Sequence, residues 1–130
     1  MHKYNIPGQI TLSEWLADIG QSIPEKIKYK GTPRHPWEYY GISKERSKEL
    51  STMAQQKEYA PLVSSAAHRA NEMLSGYILL SVTKNLSYEG LQTLWELREI
   101  ERMPCGRSDF YGWRREFYGI FNQKLKEMGK

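Results

Sequence analysis

Apolar residues recur along the chain in steps of three and four over most of its length, and no stretch alternates in the strict two-residue period of a strand. The pattern predicts an all-α fold of four or five helices. "TLSEWLADIG" opens on a T-x-x-E capping box, Thr11 and Glu14. Leu12, Trp15, Leu16 and Ile19 then keep helical spacing, and Gly20 is a natural stop. "IPEKIKYKGTPRHPWEYYG" carries three prolines and two glycines. It reads as a turn-rich segment, with Tyr29, Trp37, Tyr39 and Tyr40 pinning it to the helical body. Ser43 is a suitable N-cap for "SKERSKELSTMAQQKEYA", and Pro61 should break that helix near Tyr59–Ala60.

From Pro61 to Asn85 the pattern predicts one long central helix. Val63, Ala66, Ala70, Met73, Tyr77 and Leu80 form a heptad-like seam, widened by Leu62, Ala67, Leu74 and Ile78. A stripe this wide asks for cover on more than one side. It fits a core helix, and it also fits a homodimer seam through Val63, Ala66, Ala70, Met73 and Tyr77. Ser87 caps a following helix with Tyr88, Leu91, Leu94, Trp95 and Ile100 on one side. After "ERMPCGR", Ser108 is expected to cap the last helix, which runs to about Met128. The expected organisation is a single domain, with residues 1–42 as an N-terminal helix and Pro-rich segment, 43–86 as central helices, and 87–130 as a helix-turn-helix-like pair.

On a helical wheel, Phe110, Trp113, Phe117, Ile120, Phe121 and Met128 share the buried face of the last helix. Tyr111, Gly112, Arg115, Gly119, Asn122, Gln123 and Lys126 fall on the opposite face, and Arg114 lies near the rim of the apolar one. A glycine within a helix costs about 1 kcal/mol relative to alanine. Gly112 and Gly119, seven residues apart on one face, therefore suggest close approach of a DNA backbone or a partner helix.

Charge strengthens the interest in this helix. The chain of 130 residues carries +4, from 19 Lys/Arg and 15 Asp/Glu. Residues 102–130 hold 7 basic side chains (Arg102, Arg107, Arg114, Arg115, Lys124, Lys126, Lys130) against Asp109, Glu116 and Glu127, so the whole excess lies there (7 − 3 = 4). A basic, capped, amphipathic helix after a turn is a helix-turn-helix candidate, with Arg107, Ser108, Tyr111, Gly112, Arg114, Arg115 and Lys126 as expected contacts to double-stranded DNA.

Candidate chemistry is sparse. One cysteine excludes an internal disulfide and a multi-cysteine zinc site. Cys105 lies beside Arg107 and ahead of a helix start, both of which would lower its thiol pKa, but no base is in reach by sequence. His2, His35 and His68 lie in separate segments, and a His68–Glu72 pair reads as a surface helix pair. No phosphate-binding loop or nucleophile elbow occurs. The expectation is a non-enzymatic protein without metal or cofactor. No apolar run is long enough to span a membrane, and "MHKYNIPGQI" lacks the pattern of a signal peptide, so a cytoplasmic location is expected.

Three stretches carry a resemblance: "GISKERSKEL", "YILLSVTKNLSYEGLQ" and "MPCGRSDFYGWRREFYGIFNQKL". Together they resemble a group of small helical proteins from phages and prophage-like elements of Gram-positive bacteria. The group opens on I-S-K-x-R-x-x-E-L, continues with "SVT" ahead of a "Y-E" helix, and closes on P-C-G-R-x-x-F-Y-x-x-R-R-x-F-(F/Y), matched here by Pro104, Cys105, Gly106, Arg107, Phe110, Tyr111, Arg114, Arg115, Phe117 and Tyr118. The resemblance covers about residues 41–126. The chain departs from it at Gly112 and Trp113, where the group's arginine cluster often begins, and at Ser47, where an aromatic is expected. It implies a DNA-binding transcriptional regulator, and the alternative is a helical protein-interaction module or homo-oligomer.

Overall fold

The computed structural model describes residues 31–130. The Thr11–Gly20 helix, Tyr29 and His2 lie outside the described residues. Five α-helices follow one another: α1 (Lys44–Ala54), α2 (Ala60–Ala70), α3 (Ser75–Lys84), α4 (Tyr88–Glu96) and α5 (Arg107–Glu127). Short 3-10 turns at Trp37–Tyr40 and Lys57–Tyr59 precede α1 and α2. No strand occurs among the described residues, so the fold is all-α.

The helix starts follow local chemistry. Ser43 accepts the Arg46 N–H at the start of α1, and Ser87 accepts the Gly90 N–H at the start of α4. Pro61 does not break the Ser43-capped helix near Tyr59–Ala60 as expected: α1 already ends at Ala54, and Pro61 sits in the first turn of α2, where its missing N–H is harmless. Asn85 ends α3 with φ 56°, and the Leu86 N–H closes back on the Ser81 carbonyl at 2.8 Å. The end of α4 is closed the same way around Arg98, which has φ 63°.

The long central helix is not formed. Asn71 is extended (φ −164°, ψ 110°), and α2 stops before it. The Asn71 side-chain oxygen accepts the Leu74 N–H at 3.0 Å, and the Ser75 hydroxyl donates to the Glu72 carbonyl at 2.9 Å. Short polar side chains here satisfy the backbone locally and outcompete the helical ladder. The seam reading is corrected with it. Val63, Ala66, Ala70 and Tyr77 are buried within the protomer, while Met73, in the break, is 43% exposed. Residues already enclosed by their own chain leave no face for a second copy.

The longest helix is α5, about 30 Å at 1.5 Å per residue. It packs chiefly on α2 and also touches α1 and α4. Phe110, Phe117, Phe121 and Leu125 are fully buried on it, and the Phe117 and Phe121 rings stack at 5.6 Å. On α2, Val63, Ala66, Ala67 and Ala70 are buried, so small side chains face the neighbour that carries large ones. Of the apolar face expected for α5, Trp113 and Ile120 are only partly buried and Met128 is exposed.

The link from α4 to α5 runs over ten residues, Leu97 to Gly106, rather than the three or four of a DNA-reading turn. Its backbone carbonyls are stapled by tyrosines. The Tyr77 hydroxyl donates to the Glu101 carbonyl at 2.8 Å, and the Tyr88 hydroxyl to the Cys105 carbonyl at 3.2 Å. This link and the packing of α5 on α2 replace the helix-turn-helix geometry expected for the pair.

Phe117→Ala should lower unfolding stability by about 3–5 kcal/mol, the cost of lost burial plus a cavity beside Phe121. Chemical denaturation with the slope held in common measures it.

Candidate nucleic-acid interface

From Gly112 to Gly119 the face of α5 opposite its phenylalanines is covered by the chain's own segment 32–42, while Gln123 and Lys126 farther along it are exposed. A Cβ at Gly112 would overlap the Pro33 carbonyl oxygen and lie 3.1 Å from the Thr32 methyl group. A Cβ at Gly119 would overlap the Tyr40 ring. The close approach that the two glycines signalled is therefore made from within the molecule. Gly112 is buried, which removes it from the expected DNA contacts.

Polar bonds fasten the same strap. Arg34 donates to the Ser108 hydroxyl at 2.9 Å and to the Asp109 carboxylate at 2.6 Å. The Arg115 Nε–H donates to the His35 carbonyl at 3.0 Å, so Arg115 is half-buried rather than outward-facing. The Tyr40 hydroxyl donates to Glu116 Oε1 at 2.8 Å. Burial, and then this bond to a carboxylate, push the Tyr40 phenol far above its ordinary pKa. Trp37 tilts against Tyr118 at 5.9 Å, but Tyr39 points outward and stacks on His35 at 3.7 Å. Trp37 and Tyr40 thus do the pinning expected of the aromatics, and Tyr39 does not.

The other expected contacts lie as follows. Ser108 does not cap α5; the N-cap is Gly106, with no side-chain bond to the first turn. Arg107 donates to Glu89 at 2.7 Å, with the Tyr111 ring 5.0 Å from its guanidinium. Glu89 is held below the usual carboxylate pKa by its own backbone N–H at the start of α4, and then by Arg107. The Tyr111 hydroxyl accepts the Tyr88 N–H at 2.9 Å. Arg114 lies 5.4 Å from the Tyr111 ring and 5.8 Å from the Tyr118 ring, a half-buried cation between aromatic faces. Lys126 is exposed, away from these at the other end of α5.

Asn122, expected outward, is buried and accepts from Arg46 Nε–H at 2.8 Å. Arg46 also reaches Glu49 and the Lys130 carbonyl, tying the start of α1 to the end of α5. Arg34 did not stand out in the sequence, and Arg46 did so only as the arginine of the "GISKERSKEL" stretch, with no role attached. Their roles depend on partners 75 or 76 residues away, and no local pattern reports such pairs.

What remains open is the first turn of α5 and the ends of α4. The Arg34 and Arg107 side chains are 61% and 63% exposed despite their ion pairs, and Arg102 is exposed beside them in the link. Arg102 lies close enough to Tyr88 for its charge to act on the phenol, which burial nonetheless pushes up. Exposed ion pairs of this kind contribute at most about 1 kcal/mol, so a phosphate can replace either carboxylate.

Cys105 does not have the activated thiol that its neighbours suggested. It is buried, and burial first, then the Asp109 charge, push its pKa up to about 12. His68 and Glu72 are both exposed, but α2 ends between them and no ion pair joins them among the described residues. No cluster of three or more His, Cys, Asp or Glu side chains among the described residues is placed to hold a metal. No helix of the described residues is long and apolar enough to cross a membrane.

No family model, curated protein or solved structure matches the chain.

Two outcomes follow from this geometry. Gly112→Ala should lower the melting temperature, although alanine favours a helix by about 1 kcal/mol, because the clash is with backbone and overpacking costs about 1–3 kcal/mol. Faster proteolysis after Arg34 in that variant would show that the strap has lifted. Cys105 should resist alkylation in the native protein at pH 8. An unfolded thiol ionises near its ordinary value of about 8.5, below the folded one, so the unfolded state loses its proton first and stability should fall as pH rises from about 9 towards 12. Denaturant midpoints across that range, compared with Cys105→Ala, isolate the effect.

Proposed function

We propose that this domain binds double-stranded DNA by its phosphate backbone, as a regulator of the phage type that its closing motif resembles. The observation that supports this most is the set of exposed arginines, Arg34, Arg102 and Arg107, around the first turn of α5. That turn starts at a glycine without a side-chain cap, so its backbone N–H groups can face an anion. The +4 of the chain, concentrated after residue 101, steers a polyanion towards this part of the sequence.

The mode differs from reading bases with the outer face of α5. That face is closed by Pro33 and Tyr40, so Gly112 and Arg115 serve the fold. Contacts by arginine side chains at the helix start position a duplex without discriminating its sequence. The domain would then grip DNA with little base preference, and sequence choice would reside elsewhere.

A second reading is a protein-interaction module. It is favoured by a cleft of about 280 Å³ between the Trp37–Tyr40 turn, α2 and α5, lined by Tyr39, Arg69, Gln123 and Lys124 among others. Tyr39 is 64% exposed on its wall.

Titration of mixed-sequence duplex DNA at about 50 and 200 mM salt separates the two. On the first reading binding weakens steeply with salt, with a slope of about −0.9 per phosphate contact. Arg102→Ala/Arg107→Ala should make that slope shallower by about two while leaving the melting temperature nearly unchanged. Absence of binding at the lower salt would remove the DNA reading and leave the cleft as the site to pursue.

A further inference from the structure

We infer that Arg98 is a further DNA contact, placed at the far end of α4 by a backbone conformation that glycine would adopt more easily; the inference rests on the nucleic-acid reading above. α4 closes in a Schellman motif. The Glu99 N–H bonds to the Leu94 carbonyl at 2.9 Å, and the Arg98 N–H to the Trp95 carbonyl at 3.1 Å. Arg98 sits at the left-handed position of that motif, with φ 63°. Every other left-handed position among the described residues is filled by glycine (Gly31, Gly41, Gly129) or by asparagine (Asn85), the residue types that tolerate it best. At Arg98 alone the chain forgoes that advantage. The arginine is exposed, and no ion pair holds it among the described residues, although Glu96 and Glu99 flank it. Among the described residues, no bond of its side chain accounts for keeping it there. Strain retained at an exposed residue is a pointer to function.

Its position fits the arginine surface already described. Arg107 is paired to Glu89 in the first turn of α4, and Arg102 acts on Tyr88 beside it. Arg98 follows the C-cap of the same helix. The nine residues of α4 span about 13 Å at 1.5 Å per residue, long enough to reach more than one phosphate. Arginines at the two ends of α4 can thus engage phosphates of one duplex, with the helix lying along the backbone. Exposed Leu97 beside Arg98 would then rest on sugar rather than water.

The test uses the full chain, a mixed-sequence duplex and two variants, each measured for melting temperature and for affinity across a salt series. Arg98→Gly should raise the melting temperature, weaken duplex binding about fivefold or more near 100 mM salt, and flatten the salt slope by about 0.9. Arg98→Lys keeps the charge and should keep most of the slope. An Arg98→Gly protein that binds with the affinity and slope of the parent would overturn the assignment while leaving the DNA reading in place. A fall in its melting temperature would also overturn it, because the premise of strain would be gone. If the parent itself does not bind the duplex, the DNA reading fails first and Arg98 with it.

Discussion

The enclosure of α5 governs the rest of the structure. Its phenylalanines need a neighbour with little side-chain volume, and α2 provides Ala66, Ala67 and Ala70. Burying three Phe side chains gains several kcal/mol of apolar transfer energy in one place, more than any polar contact in the molecule can supply. Once that face is committed, the remaining surface of the helix must be covered or charged. The strap 32–42 covers the glycine side, and arginines occupy the open end.

The strap shows how backbone proximity selects residue type. Gly112 and Gly119 are unfavourable for an isolated helix, yet without them neither the Pro33 carbonyl nor the Tyr40 ring could lie against α5. The polar bonds along the strap then satisfy groups that this contact removes from water: Arg115 to the His35 carbonyl, and Tyr40 to Glu116. Similar economy holds in the α4–α5 link, where Tyr77 and Tyr88 donate to backbone carbonyls that no helix accounts for.

These commitments leave the positive charge at edges. Arg46 and Arg115 are drawn into structural bonds, and Arg114 is sandwiched between tyrosine rings. Arg34, Arg102 and Arg107 stay exposed around the start of α5, where the helix dipole is itself positive. The proposed backbone grip on a polyanion relies on that placement, because the outer face of α5 around Gly112 and Gly119 is taken up by the strap.

By itself the sequence determined the all-α class, the caps at Ser43 and Ser87, the stop at Asn85 and the Phe110–Phe117–Phe121 core stripe. Each is set within about one helical turn, by a side chain bonding its own backbone or by periodicity on one face. The break at Asn71 was hidden because the heptad-like seam continues through it, and a local side-chain bond decided against the helix. The start of α5 was misplaced by two residues because Ser108, a good cap, bonds instead to Arg34, 74 positions away. The glycine face was legible as a place of close approach but not in what approaches it. A wheel gives directions around one helix, and only the tertiary structure decides which distant segment lies in each direction. The arginines divide for the same reason, since sequence fixes their number and sign while long-range packing decides which are bound inside the molecule and which stay exposed.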